Sequence, residues 1–467
     1  MASICTSNVT SGFIDLATFD EIEKYMYGGE QATAYFVRET RKSTWFTQVP
    51  VVLSRASGSP AFNQEWAVSI SRAGDYLLQT WLRLQTPSVT LLSTNPNGGN
   101  GRLRWTRNFM HNIIRECCIT FNDLVAARFD NYHLDFWTAF TVPAGKRNGY
   151  NNMIGNFNDM TGPRGPGVAI PAFTLNLPLP FFYSRDSGVA LPTAALPYNE
   201  MRINFSFRNW NDLLILDNVA AAGEQRSLLS QASVGTGAGF SLATEPVLGV
   251  TQVWANYAIV SNDERKRMAC APRDILIEQV QTAPRQTFAP ATNSQPSYDV
   301  RFSHAIKVLF FSVRNRTFGA EWSNYMTNSP VDLGAVVNFT PNTSADPILQ
   351  TSLIYENTNR LAQMGSDYFS LLNPYYHAPV IPLDTGYHMY SYSLDFICLD
   401  PMGSTNYGKL TNVSIVPEAS AQAQTAAQGN GAAGTGANFA QSYEFIITAV
   451  NNNIIRISGG ALGFPVL

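Results

Sequence analysis

Trp66-Ala-Val-Ser-Ile-Ser-Arg-Ala73 is an aromatic-led run with a counterpart in the other half of the chain, Tyr298-Asp-Val-Arg-Phe-Ser-His-Ala305, 232 positions on. The same spacing carries into Tyr76-Leu-Leu against Val308-Leu-Phe, and Gln48-Val49 matches Gln279-Val280 at 231. Farther along, Ile119-Thr-Phe-Asn-Asp123 resembles Leu353-Ile-Tyr-Glu-Asn357 at 234, and the run from Phe205 to Leu214 parallels that from Ile446 to Ile455 at 241. Alternation at period two belongs to strands, whose every second side chain shares one face. The common order of the matches and their slowly growing offset point to an internal duplication. The architecture expected is therefore two similar β sandwiches in tandem rather than one large barrel.

Working outward, the remaining chain reads as short strands divided by Gly, Pro, Asn and Ser, the pattern of an all-β protein. Helix is expected only at Leu16 to Tyr27, Asn131 to Thr141 and, as a short turn, Asn359 to Gln363. The first of these is amphipathic, with Leu16, Phe19, Ile22 and Tyr25 recurring at three-residue steps after a capping Asp15. Together with Phe13 and Ile14 these residues form a candidate assembly arm, whose acidic polar side argues against a membrane anchor. Two stretches depart in composition: Asp217 to Pro246 is rich in Ala, Gly, Ser and Gln, and Glu418 to Asn438 is almost wholly small and polar. The expected organisation is an arm over 1–30, a first sandwich over 31–216, a link over 217–246 and a second sandwich over 247–467 with a low-complexity loop at 418–438.

Of the 467 residues, 45% are hydrophobic, enough for packed interiors, whereas only 14% are Asp, Glu, Lys or Arg. A charge-poor surface suits a chain largely covered by partners, because interface cores are depleted of charge. The net charge of -3 offers no field for binding phosphates, so direct nucleic-acid contact is not expected. Met1 to Asp15 lacks the basic leader and apolar core of a secretory signal, and no apolar run approaches the ~20 residues of a membrane-spanning helix. Synthesis in the cytosol is the corresponding expectation. Cys5, Cys117, Cys118, Cys270 and Cys398 show no metal-ligand spacing, and the last four read as buried small hydrophobes.

Longer strings resemble a known family. Leu177-Pro-Leu-Pro-Phe-Phe-Tyr-Ser-Arg-Asp-Ser-Gly-Val-Ala-Leu-Pro192, followed by Leu196-Pro-Tyr-Asn-Glu-Met-Arg202, resembles the major capsid proteins of iridoviruses, especially those of invertebrate iridescent viruses. Ser11-Gly-Phe-Ile-Asp-Leu16, Ser71-Arg-Ala-Gly-Asp-Tyr76, Gly403-Ser-Thr-Asn-Tyr-Gly-Lys-Leu-Thr-Asn412, Asn453-Ile-Ile-Arg-Ile457 and Gly463-Phe-Pro465 are similar to the same family. The resemblance implies an all-β double jelly roll, two tandem eight-stranded sandwiches with long loops and a short N-terminal helical arm. It also implies a homotrimer that forms a pseudo-hexagonal capsomer in the icosahedral shell of a virion. The shell would be assembled in host cytoplasm with minor capsid and penton proteins, beside an internal membrane that this chain does not span.

Chemistry of other kinds finds little footing. His111, His133, His304, His377 and His388 are not spaced as metal ligands, and neither a phosphate loop nor a nucleophile elbow is present, so no cofactor and no enzymatic activity are expected. Asn338 and Asn342, in Asn-X-Thr and Asn-X-Ser contexts after Pro330, are the candidate glycan carriers should any glycan be present. The competing reading from another class is a carbohydrate-binding jelly-roll module using exposed Trp and Tyr.

Overall fold

A computed structural model describes residues 45–92, 101–218, 227–228, 233–234, 241–291, 294–316, 319–327, 346–428 and 441–465, with a few positions between 14 and 36. The chain forms two units, Met1–Trp45 and Phe46–Leu467. In the first, Ile14 and Asp15 and, farther on, Glu21 and Ile22 are helical, and the Glu21 backbone N–H donates to the Asp20 carboxylate at 2.8 Å.

The second unit contains sixteen principal strands. Eight belong to the first half: β1 Phe46–Val52, β2 Glu65–Ser69, β3 Tyr76–Gln85, β4 Ile114–Phe121, β5 Leu124–Phe129, β6 Thr174–Pro178, β7 Met201–Phe207 and β8 Thr251–Val260. Eight belong to the second: β9 Arg273–Thr282, β10 Tyr298–Asp299, β11 Ala305–Asn315, β12 Ile348–Tyr355, β13 Thr358–Gly365, β14 His388–Ser391, β15 Val413–Ala419 and β16 Tyr443–Ser458. The first half pairs as β1-β8-β3-β6 and β2-β7-β4-β5, and the second as β9-β16-β11-β14 and β10-β15-β12-β13. One order becomes the other when every strand number is raised by eight, so the two halves are topological copies, each a jelly-roll sandwich.

Alternation along the strands builds each interior. On β7, Met201, Ile203, Phe205 and Phe207 are buried while Arg202, Asn204 and Ser206 between them are not. Trp66 of β2 stacks on Phe205 with ring centroids 4.7 Å apart, and Tyr298, at the corresponding place in β10, stacks on Phe445 at 4.7 Å. Successive strands cross their sandwich in opposite directions, so the connections after β3, β5 and β7 fall at one end of the first sandwich. Those after β11, β13 and β15 fall at the corresponding end of the second.

Several expectations require correction. Strand β8 pairs antiparallel with both β1 and β3, so the first sandwich runs to Val260 and residues 217–246 lie inside it, between β7 and β8. Among the described residues the ladder of the first sandwich starts at Phe46, and residues 31–44, Phe36 excepted, lie outside them. The passage to the second sandwich is instead the helix Asn262–Cys270, which is mostly charged and buries only Met268. Its Cys270 is exposed, contrary to the buried role expected, whereas Cys117 is fully enclosed. Asn359 to Gln363 is not a helical turn but part of β13, an edge strand held by its ladder with β12. The match of Phe205 with Ile446 pairs a seventh strand with an eighth, since the true counterpart of β7 is β15. The other four matches join strands of the same rank.

Candidate functional site: the seam between the sandwiches

The densest polar chemistry in the second unit lies where the two sandwiches meet. Helix α1, Asn131–Thr141, follows β5, and the Asp130 carboxylate caps it by accepting from the His133 backbone N–H at 3.0 Å. Its side chains are apolar on more than one face, as a helix enclosed on all sides requires. Leu134 enters the core of the first sandwich. Phe136, Trp137 and Phe140 instead cover Val308 and Phe310 of β11 and Ile446 and Val450 of β16, the outer face of the second sandwich's larger sheet. A helix of one half thereby closes the sheet of the other.

Asp135, at the helix centre and almost fully enclosed, is the hub of the seam. Its carboxylate lies 2.7 Å from His111 Nδ1 and accepts from Ser323 Oγ at 3.0 Å and the Tyr325 hydroxyl at 2.9 Å. His111 belongs to the first half, Ser323 and Tyr325 to the second. His111 Nε2 is 2.5 Å from the Tyr150 hydroxyl, extending the chain of bonds outward. Burial, followed by the neighbouring Asp135 charge, pushes the Tyr325 hydroxyl well above its ordinary range, so it remains a donor.

Ion pairs and aromatic faces flank this hub. Arg104 pairs with Glu321 at 3.4 Å, and Glu278 holds Arg185 at 2.9 Å and Lys307 at 2.5 Å. The Tyr132 hydroxyl and Arg314 both donate to Glu444 at 3.1 Å. Arg208 and Arg314 stack on the Trp322 ring, their guanidinium carbons 3.7 and 4.0 Å from its centroid, while its indole N–H donates to the Asp212 carbonyl at 2.8 Å. Arg185 stacks likewise on Trp137 at 3.7 Å. Burial holds Arg208 down at about 10, still charged near neutrality, so its contacts with Asn112 and Asn131 offset a desolvation cost. Gly386 sits close against the Tyr325 backbone with φ of +104° and accepts from Ser312 Oγ at 2.5 Å.

The sequence reading anticipated α1 as a helix but not its role as a joint. Asp135, Trp322, Arg208 and Arg314 were missed, although the run Tyr132, Leu134, Phe136, Trp137 and Phe140, too apolar for a surface helix, signals that this one is enclosed. Of the candidate arm, Ile14 and Ile22 are in helical turns and exposed. Phe13, Leu16, Phe19 and Tyr25 lie outside the described residues, as do Asn338 and Asn342. Among the described residues no group of three or more His, Cys, Asp or Glu could hold a metal ion, and no helix is long and apolar enough to cross a membrane.

Comparison with known proteins agrees with this geometry. Residues 34–259 match the family model described as major capsid protein N-terminus, and residues 264–463 match that described as large eukaryotic DNA virus major capsid protein. The two models meet where β8 ends and the connecting helix begins. The chain is 70% identical to the major capsid protein of Costelytra zealandica iridescent virus and 68% identical to that of Invertebrate iridescent virus 6, covering 100% of both chains in each case. Its fold is similar to that of VP54 of PBCV-1, in a crystal structure fitted into a reconstruction of the virophage Sputnik. There the TM-score is 0.71 at 20% identity, over 93% of this chain and 100% of the other. The neighbours in fold are double jelly-roll viral capsid proteins, so the double jelly roll expected from the sequence is the fold of this chain.

Proposed function

Since the chain belongs to the large eukaryotic DNA virus major capsid protein family, we propose that it works as a homotrimer, three copies presenting six similar sandwiches as one pseudo-hexagonal capsomer. The observation that carries this reading is the identity of strand order in the two halves, fixed together through a buried seam. Two copies of one shape per chain, repeated about a threefold axis, present six comparable blocks to six neighbours. Closed cyclic symmetry is the common outcome for a self-associating chain. A rigid seam matters because a block that flexed at its centre would not hold lattice spacing, and the interlocked charges of Asp135, Glu278 and Glu444 supply that rigidity.

The wider assembly follows from the same reading. Capsomers tile an icosahedral shell in the host cytoplasm, with minor capsid and penton proteins at their margins and an internal membrane beneath. The test is the native mass of the purified full chain by light scattering. A trimer of about 154 kDa, three times 51.4 kDa, is expected. A monodisperse monomer that stays so at high concentration would overturn the capsomer reading.

A further inference from the structure

Within one chain a single joint between sandwiches is complete: α1 lies across β11 and β16. The strand order supplies a second, incomplete set of the same parts. The counterpart of α1 is the helical segment after β13, Tyr368–Leu372 continuing into Asn373–His377. Phe369 enters the second core as Leu134 enters the first. At the same spacing of 235, Phe136, Trp137 and Phe140 correspond to Leu371, Leu372 and Tyr375. In α1 those positions are covered, whereas Leu371 is 54%, Leu372 47% and Tyr375 69% exposed, with the adjoining Tyr376 also at 69%.

The counterpart of the sheet face covered by α1 is the outer face of β1, β8, β3 and β6. Trp81 and Trp254 stack there with centroids 6.2 Å apart, in register with Pro178 on one side and Val52 on the other. Val52 is 42% exposed, and the indole N–H of Trp254 is shut off from solvent with no acceptor among the described residues. On one side of the pair Asn256 bonds with Gln48 and Gln79, and on the other the exposed Arg83, two residues from Trp81 on the same face, lies in register with Gln252 and Asn176. Apolar at its centre and polar at its border, with Arg83 the charge nearest the tryptophans, the face has the make-up of an interface core with its rim.

We infer that these two surfaces bind each other between copies. The Leu371 to Tyr376 segment of one chain lies across Trp81 and Trp254 of the next, repeating between chains the joint that α1 makes within one. The inference rests on the trimeric reading and specifies how it closes. The contact is heterologous, helix to sheet face, so each copy uses one surface of each kind and the ring ends when six sandwiches have alternated. Charge marks the difference between the joints: the one within the chain is pinned by Asp135 and its partners, while the surfaces meeting between chains are aromatic and aliphatic.

Complementation between two variants tests this. Trp254→Arg spoils the sheet face and leaves the helical segment intact, while the double variant Leu371→Arg and Tyr375→Arg does the reverse. With near-ultraviolet circular dichroism and thermal melts confirming that both are folded, each alone is expected to scatter as a monomer near 51.4 kDa. Mixed in equal amounts they retain one good joint between them, and dimers of about 103 kDa, twice 51.4 kDa, are expected. Folded variants that remain trimeric, or a mixture that remains monomeric, overturn this pairing of surfaces while leaving the trimer itself standing. A monomeric wild-type chain instead removes the trimeric reading on which the pairing depends.

Discussion

Tyr325 donates its hydroxyl to the Asp135 carboxylate at 2.9 Å, and that bond runs from a loop of the second sandwich to the central turn of a helix from the first. It is one of four contacts that the Asp135 carboxylate makes, with Asn108, His111, Ser323 and Tyr325, so a single buried carboxylate is shared by both halves.

Replacing that carboxylate should loosen the whole unit. Asp135→Ala leaves four polar side chains, those of Asn108, His111, Ser323 and Tyr325, enclosed without this carboxylate, and removal of one partner from a buried charged network costs about 3–5 kcal/mol. The expected outcome is a clear fall in the denaturant midpoint in equilibrium unfolding. An unchanged midpoint would show that the halves are held by apolar contact alone.

Trp322 offers a second point of attack, because Arg208 and Arg314 both rest on its ring. Trp322→Ala removes the packing and leaves two enclosed guanidinium groups facing a void; because Trp322 is itself only partly buried, the loss should fall at or below the lower end of the range of about 3–5 kcal/mol usual for truncating a core aromatic. Trp322→Phe, which keeps a ring, should recover much of it. The ordering of thermal midpoints, wild type above Phe above Ala, is the measurement.

At Gly386 the argument is steric. The backbone there has φ of +104°, and an added methyl would collide with the Tyr325 carbonyl. Gly386→Ala should therefore destabilise by about 1–3 kcal/mol, the range for local backbone strain. Its signature should be faster hydrogen exchange in 319–327, the segment it displaces, rather than in β2 or β7.

Acid should weaken the fold through His133. Burial, reinforced by the nearby Arg185 charge, holds its imidazole down at about 3, against an ordinary value of 6.5, so the folded protein keeps it neutral. The unfolded chain binds this proton more readily, and the stability from neutral His133, present in full above pH 6.5, drains away as pH falls toward 3. The loss is on the order of 5 kcal/mol at its limit. His133→Leu should flatten the acid side of the stability curve between those values, measured by urea titrations at a series of pH. A variant as acid-sensitive as the wild type would place the effect elsewhere.

Four of the five internal matches joined strands of equal rank, because Gln48, Trp66, Tyr76 and Ile119 sit in ladders whose connections differ little in length between the halves. The fifth slipped because alternating runs look alike: Phe205 and Ile446 both begin well-buried stretches, and only pairing partners tell a seventh strand from an eighth. The same ignorance of partners made 217–246 look like a link. Composition announces that such a stretch cannot pack by itself, but not that the chain returns through β8 to the sheet it left. Strand β13 was hidden for a different reason. Asn359, Arg360 and Gln363 are poor strand formers facing water, and the ladder with β12 overrides their preference. The seam was the least legible part, since it joins Arg104 to Glu321 and Arg208 to Trp322, residues far apart in sequence.

Both composition breaks, 217–246 and 418–438, fall chiefly in equivalent connections, one between β7 and β8 and the other between β15 and β16. A connection between fixed strand ends can lengthen at little cost in closure entropy, since each doubling adds only about 0.6 kcal/mol. Change is thereby confined to one pole of each sandwich. A lineage of such proteins is free to redraw that pole repeatedly, whereas a single substitution at Asp135 is answerable to both halves at once.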